Sequence, residues 1–185
     1  MSEFFELITA DHAAFIARQP VYFVATAAAD ARINLSPKGM DTFRVLEGGR
    51  ACAYLDFGGS GNETHAHLAA DGRITIMFCA FDQPALIYRI YGRGRAVLPQ
   101  DADWDVLAGQ FHIERGVRQI FHIQVESTQT SCGWAVPKMA LVDERQTLRK
   151  YFEGDEPAQR LAKYQERDHS IDGLPVRPPA FLPYD

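Results

Sequence analysis

Read from its amino-terminal end, the chain alternates short runs in which apolar residues recur at helical spacing with runs in which they alternate or run together. "TADHAAFIARQ" has the first pattern and predicts a helix, capped by Thr9 or Asp11 and stopped at Gln19-Pro20. "VYFVATAAADARINLS" predicts a hairpin that turns near Asp30–Arg32, and "FRVLEGGRACAYLD" predicts a second one turning at Glu47-Gly48-Gly49. "ETHAHLAAD" returns to helical spacing, with Gly72 placed to end it. "RITIMFCAF" is almost continuously apolar and predicts a central strand. In "LIYRIYGRGRAVL", strand alternation puts Arg89, Tyr91, Arg93 and Arg95 on one face. The opposite face carries Leu86, Tyr88 and Ile90, then tapers to Gly92, Gly94 and Ala96, where something must approach closely. "PQDADWDVLAGQFH" predicts a helix, and "RQIFHIQVES" a strand with Phe121, Ile123 and Val125 opposed to His122, Gln124 and Glu126.

From about Asp143 the pattern shifts to charged helix formers and then to a proline-rich tail. Residues 1–142 therefore form the main domain, and 143–185 a helical extension and tail of that same domain. Some six or seven strands joined by tight turns favour a mainly β, antiparallel barrel with peripheral helices over a βαβ arrangement.

Composition narrows the function classes. The chain has 185 residues, 46% hydrophobic and 23% charged, with a formal net charge of -5. That is an ordinary globular composition, and the acidic balance argues against a nucleic-acid partner. The three cysteines, Cys52, Cys79 and Cys132, are far apart and form no CxxC pair; the first two sit in apolar strands, which fits buried thiols and a reducing, cytoplasmic setting. The amino-terminal stretch is broken by polar residues and does not read as a secretory signal. The least polar run, "PVYFVATAAA", is too short to cross a bilayer.

Three segments carry candidate chemistry. "NLSPKG" puts Ser36 and Lys38 at a strand end broken by Pro37, with Lys38 suited to a phosphate or an electron-rich ring edge. "GGSGNET", Gly58 to Thr64, hands a strand over to a helix; it reads either as a capped turn or as a nest of backbone N–H groups facing an anion. It is not the GxxxxGK[ST] phosphate loop. "SCGWAVPKM" places Trp134 where it could stack on a planar ligand or simply join the core. His65 and His67 do not share a helix face, so they make a poor chelating pair, and no catalytic triad can be assembled.

Taken in order, "VYFVATA", "INLSPKG", "AYLDFGGSGNETHAHL", "GRITIMFCAF", "YGRGRAV" and "SCGWAVPKM" resemble the pyridoxamine 5'-phosphate oxidase-related, FMN-binding split-barrel family over roughly residues 10–140. "SIDGLP", Ser170 to Pro175, resembles a recurring ending of one branch. The resemblance implies a homodimer of split β-barrels with two FMN sites at the subunit interface. Asn34, Leu35, Ser36 and Lys38 would lie along the flavin, and Tyr54, Leu55 and Asp56 would meet it from the next strand. Ser60, Gly61, Asn62, Glu63 and Thr64 would form the phosphate end, and Trp134 would come across the dimer interface. The sequence departs from the oxidase proper where an arginine-lysine pair would grip the phosphate: Asn62-Glu63-Thr64 stands there, with a carboxylate that must point away or cap the helix. No arginine-rich substrate segment is present, since Arg177 lies in an unrelated tail. The expectation is an FMN-dependent oxidoreductase acting on a small molecule other than pyridoxamine phosphate. The alternative is a non-catalytic split barrel that holds flavin or haem, with His65, His67 or His122 as candidate axial ligands.

Overall fold

The computed structural model describes residues 2–184. Eight strands form the body: β1 (Glu3–Phe5), β2 (Val21–Thr26), β3 (Asn34–Gly39), β4 (Phe43–Leu46), β5 (Ala51–Phe57), β6 (Arg73–Cys79), β7 (Leu86–Val97) and β8 (Val117–Cys132). Five short helices accompany them: α1 (Ala10–Ile16), α2 (Glu63–Ala70), α3 (Trp104–Ala108), α4 (Thr147–Glu153) and α5 (Pro157–Gln165). All pairings are antiparallel, in the order β3-β2-β6-β7-β8-β5-β4, with β1 added beside the far end of β8. The protein is mainly β, as its pattern predicts.

The sheet is strongly curled. Tyr22 on β2 meets Phe43 on β4 at 5.4 Å between ring centres and Tyr54 on β5 at 5.9 Å, although these strands lie near opposite ends of the sheet order. The Tyr22 hydroxyl also bonds Thr42 Oγ1 at 2.9 Å. The concave face wraps one core that includes Val24, Ile76, Phe78, Tyr88, Ile90, Phe121 and Ile123. Behind β5 and β8, helix α3 closes a second core with Leu55, Val97, Trp104, Val117 and Ile120. That is why β5 and the start of β8 are buried on both faces and read as continuous apolar runs.

Local rules explain most element ends. Thr9 rather than Asp11 caps α1, its Oγ1 accepting from the His12 N–H at 3.2 Å. Gly49 turns the second hairpin at φ +91°, where an added Cβ would lie 2.0 Å from the Ile8 carbonyl oxygen. Gly72 ends α2 at φ +88°. The expected small-residue face of β7 has its reason in close approaches: a Cβ on Gly92 would lie 2.2 Å from the Gln124 carbonyl oxygen, and one on Gly94 3.0 Å from Leu68 of α2. On the other face Arg89 donates to Ser131, and Arg93 and Arg95 pair with Glu126 and Asp103, so this side offers no open basic patch.

Three expectations change in detail. The helix after Pro99 is only five residues long, because Asp101 first turns the chain, its carboxylate accepting from the Leu98 N–H at 2.9 Å. Strand β8 runs on to Cys132, since Thr128–Cys132 have Leu86–Ile90 of the long β7 as partners. Strand β1, three residues long, is too short to register as a periodic pattern. Cys52 and Cys79 are buried free thiols and Cys132 is exposed. Among the described residues no helix is long and apolar enough to cross a membrane.

Candidate functional site

A cavity of about 490 Å³ opens where β3, the end of β5, the loop 58–62, the start of α2 and the start of β8 converge. Its size falls within the ~300–1,000 Å³ usual for small-molecule sites. Asn34, Ser36 and Lys38 reach it from alternate positions of β3, which sends Leu35 to the outer face, 65% exposed. Asp56 enters from β5, whereas Tyr54 is fully buried in the main core and Leu55 in the second. Ser60, Gly61, Asn62, Glu63 and Thr64 all line it. Nine of the thirteen sequence-nominated residues thus meet at one cavity. Trp134 does not: it stands 84% exposed beyond β8.

The floor is an ionic and amide network centred on Asp56. Its Oδ1 accepts from Lys38 Nζ at 3.0 Å; its Oδ2 accepts from Arg118 Nη2 at 2.7 Å and from Gln119 Nε2 at 2.9 Å. Burial pushes this carboxyl up, but Lys38, Arg118 and the hydrogen bonds outweigh it and hold Asp56 well below the ordinary carboxylate range. Two adjacent residues of β8 reach one carboxylate because a bulge interrupts the pairing: Asp56 stands opposite Gln119 and Phe57 opposite Val117, leaving Arg118 unmatched. Arg118 Nη1 goes on to donate to the Gly61 carbonyl at 3.1 Å, tying the loop to the floor.

Two relays run outward from this floor. Gln119 Nε2 also donates to Asn62 Oδ1 at 2.7 Å, and its Oε1 meets His65 Nδ1 at 2.8 Å. On the other wall Asn34 donates to Thr64 Oγ1 at 3.1 Å and to Thr26 Oγ1 at 3.3 Å, and accepts from Ser36. Thr26 in turn bonds His67 Nδ1 at 3.1 Å.

The glycine-rich loop is not a left-handed nest, for none of Gly58, Gly59 or Gly61 has positive φ. Gly58 is required instead by a close neighbour: a Cβ there would lie 1.8 Å from the Tyr164 hydroxyl on α5. The loop still presents donors. Asn62 accepts from Gln119 through its side chain and gives α2 no side-chain cap, so the first N–H groups of α2, at the residues Glu63 and Thr64 that line the cavity, stay uncapped. Glu63 neither points away nor caps α2: it stays in the cavity lining, where its Oε1 accepts from the Ile171 N–H at 3.1 Å. The apolar side chains of Phe57, Phe121 and Ile171 complete the lining.

Arg118, Gln119, Phe57, Phe121 and Ile171 escape sequence reading. An arginine inside the apolar run "VRQIFHI" is the one signal that could have flagged Arg118. Arg177 is engaged away from the cavity, pairing with Asp101.

The curled antiparallel sheet is a split β-barrel, and its cavity combines many polar donors with three large apolar side chains. The chain matches the family described as pyridoxamine 5'-phosphate oxidase over residues 8–132. It is 32% identical over 194 aligned residues to the pyridoxamine 5'-phosphate oxidase family protein ustO of Aspergillus flavus, covering 95% of this chain and 78% of that protein. The protein belongs to the pyridoxamine 5'-phosphate oxidase family. Among solved structures it is similar to Group A Streptococcus HupZ (TM-score 0.51, 23% identity, 65% of this chain and 90% of that one). It is also similar to an FMN-binding protein of Syntrophomonas wolfei (TM-score 0.50, 12% identity, 74% and 88%). These two likenesses concern the fold.

Proposed function

We propose that the chain is an FMN-binding oxidoreductase whose substrate is a small molecule other than pyridoxamine 5'-phosphate. The observation that carries this reading is the mixed lining of the cavity, in which many hydrogen-bond donors stand together with aromatic and aliphatic side chains. Ser60, the loop N–H groups and the open start of α2 suit a phosphate, Lys38 and Ser36 suit the polar edge of a planar ring, and Phe57 and Phe121 suit its faces. The donor set fits flavin mononucleotide, with one qualification from charge. Lys38 and Arg118 already serve Asp56, Arg167 is engaged with the Gly59 carbonyl, and Glu63 puts a carboxylate in the lining, so hydrogen bonds rather than free positive charge would hold the phosphate.

When bound, FMN supplies the electron transfer, and the protein supplies position and tuning. Lys38, fixed by Asp56, would keep a proton donor at the ring edge. Ser36, held by Asn34, would orient a second polar group beside it. Phe57, Phe121 and Ile171 would shield the bound ring from water. Of the tail arginines, Arg177 pairs with Asp101 and Arg167 donates to the Gly59 carbonyl, which supports a substrate other than pyridoxamine 5'-phosphate.

A homodimer belongs to the same reading. Ile33 and Leu35 on the outer side of β3, and Trp134, Met139, Leu141 and Val142 on the extended segment after β8, are large apolar side chains left exposed. A second copy is the natural cover for them and would bring Trp134 toward the neighbouring site. Free cysteines support a reducing, cytoplasmic location. Among the described residues no histidine lines this cavity, which favours flavin over haem at this site; His65 lines a separate recess.

Visible absorption of the purified protein followed by FMN titration tests the reading. A flavin spectrum, or flavin quenching that Lys38→Ala and Ser60→Ala each weaken about 10- to 100-fold, is the expected result. A chain that ignores FMN, or variants that bind it equally well, would overturn it.

A further inference from the structure

The carboxy-terminal segment reaches the wall of the cavity through Ile171 as a compact strap. Asp168 to Val176 fold back on themselves: Val176 N–H donates to the Asp168 carbonyl at 2.7 Å, Ser170 N–H to the Leu174 carbonyl at 2.8 Å, and His169 bridges Pro175. The tip is fastened at two points. Ile171 N–H donates to Glu63 at the start of α2, while Asp172 accepts from the backbone and guanidinium of Arg32 in the β2–β3 turn, 140 residues away. Ile171, 68% exposed, is the strap's contribution to the cavity wall. These tip contacts are exposed and each is weak in water.

The base of the strap is held differently. Arg177 N–H donates to Nε2 of His65, a residue of α2 that is only 4% exposed. A backbone N–H can only donate, so Nε2 carries no proton; the neutral ring therefore keeps its proton on Nδ1 and donates it to Gln119 Oε1. One ring thus joins the strap to the Gln119–Asp56 floor beneath the cavity.

We propose that the His65–Arg177 hydrogen bond is a proton-operated latch: protonating His65 places a ring N–H against the Arg177 N–H, and the strap swings off the cavity. The groups facing His65 favour the closed, neutral form. Arg118 and Gln119 lie on the β8 side, Arg177 on the strap, and Arg95 of β7 lines the same recess, each arginine a cation; Asp56 on β5 is the opposing charge. Asp101 and Asp103 neutralise Arg177 and Arg95 in part, and Glu63, two residues before His65, is spent on Ile171. Burial first, then Arg118 and Arg177, lowers the His65 pKa below 6.5. The strap's own imidazole, His169, is exposed and bonds Asp168, apart from the latch.

The sign follows from linkage. A histidine whose pKa is lower in the closed form than in the open one stabilises the closed form fully above the open-form value, for which the free imidazole's 6.5 is the upper limit because Arg118 stays beside the ring, and the contribution falls away as pH drops below it. Between pH 7.5 and 5.0 the closed state should weaken by up to about thirtyfold. What the opening admits rests on the flavin-site reading; the latch itself does not.

Hydrogen–deuterium exchange of the ligand-free protein, corrected for intrinsic rates, tests the latch. Amides of Ile171, Leu174 and Arg177 should lose protection between pH 7.5 and 5.0 while β7 and β8 keep theirs. His65→Gln should abolish the pH dependence and His169→Gln should leave it intact. Should His65→Gln fail to fold, the His65 ring titration followed by NMR in the natural chain must share its midpoint with the loss of strap protection. Strap protection that does not change with pH, persists in its pH dependence in His65→Gln, or changes at a midpoint other than that of His65 would overturn the proposal. FMN binding plays no part in these readouts, so a failed flavin titration leaves them standing.

Discussion

Replacing Asp56 by Asn changes almost no volume and removes one charge, which makes it the sharpest test of the cavity floor. Asp56 and Arg118 each expose only 5% of their side chains, whereas Lys38 exposes 23% and can turn toward the open cavity. The uncompensated charge left behind is therefore that of Arg118. Stripping one partner from a buried pair costs about 3–5 kcal/mol. Arg118 retains its bond to the Gly61 carbonyl and its position over the Tyr164 ring, 5.6 Å from the centroid, which argues for the lower end, about 3 kcal/mol. For a chain of this size that corresponds to a fall in Tm of about 6–12 °C. Thermal unfolding by circular dichroism at pH 7 measures it. The double variant Asp56→Asn/Arg118→Met, which removes both charges, should regain much of the loss. A single variant that melts within about 2 °C of the natural chain would refute the reasoning, as would a double variant that melts lower still. The pH dependence gives a second check. Because the folded Asp56 carboxyl is held below its unfolded value near 3.9, its contribution is complete above that pH and is lost as pH falls through it toward the folded value. The natural and Asp56→Asn proteins should therefore converge in stability in strong acid.

Gly58→Ala would drive a methyl group into the Tyr164 hydroxyl and should loosen α5 from the loop, lowering Tm by several degrees, while Gly59→Ala, with nothing within 4 Å, should change it little; equal effects would discount the close approach. Gln119→Leu strands His65 Nδ1–H and Asn62 Oδ1 without partners, and about 1–3 kcal/mol for each buried group should appear in denaturant unfolding. Little or no change there would mean that the relay is replaced by water.

Seven of the eight strands, helices α1 and α2, and the glycines that end a helix or turn a hairpin can be read from periodicity, because those choices depend on neighbours one to four residues away. The same holds for Asn34, Ser36 and Lys38, which reach the cavity because alternation on β3 leaves them no other face. Arg118 and Gln119 could not be read that way. Strict alternation would put them on opposite faces, and only the bulge against Asp56–Phe57 brings both to one carboxylate. The glycine loop shows the same limit: Gly58 looks like a ligand-binding glycine in sequence, and it is Tyr164, more than a hundred positions later, that requires it. The strap depends on still longer reach, since Asp172 finds Arg32 and Arg177 finds His65 only after the sheet has curled and carried its two ends together. The sequence by itself determined the strands, their faces and the donors on β3. The tertiary structure decided which charges share a carboxylate and what covers the cavity, because a bulge and the closure of distant segments over a curled sheet are set by packing across the fold and leave no period in the chain.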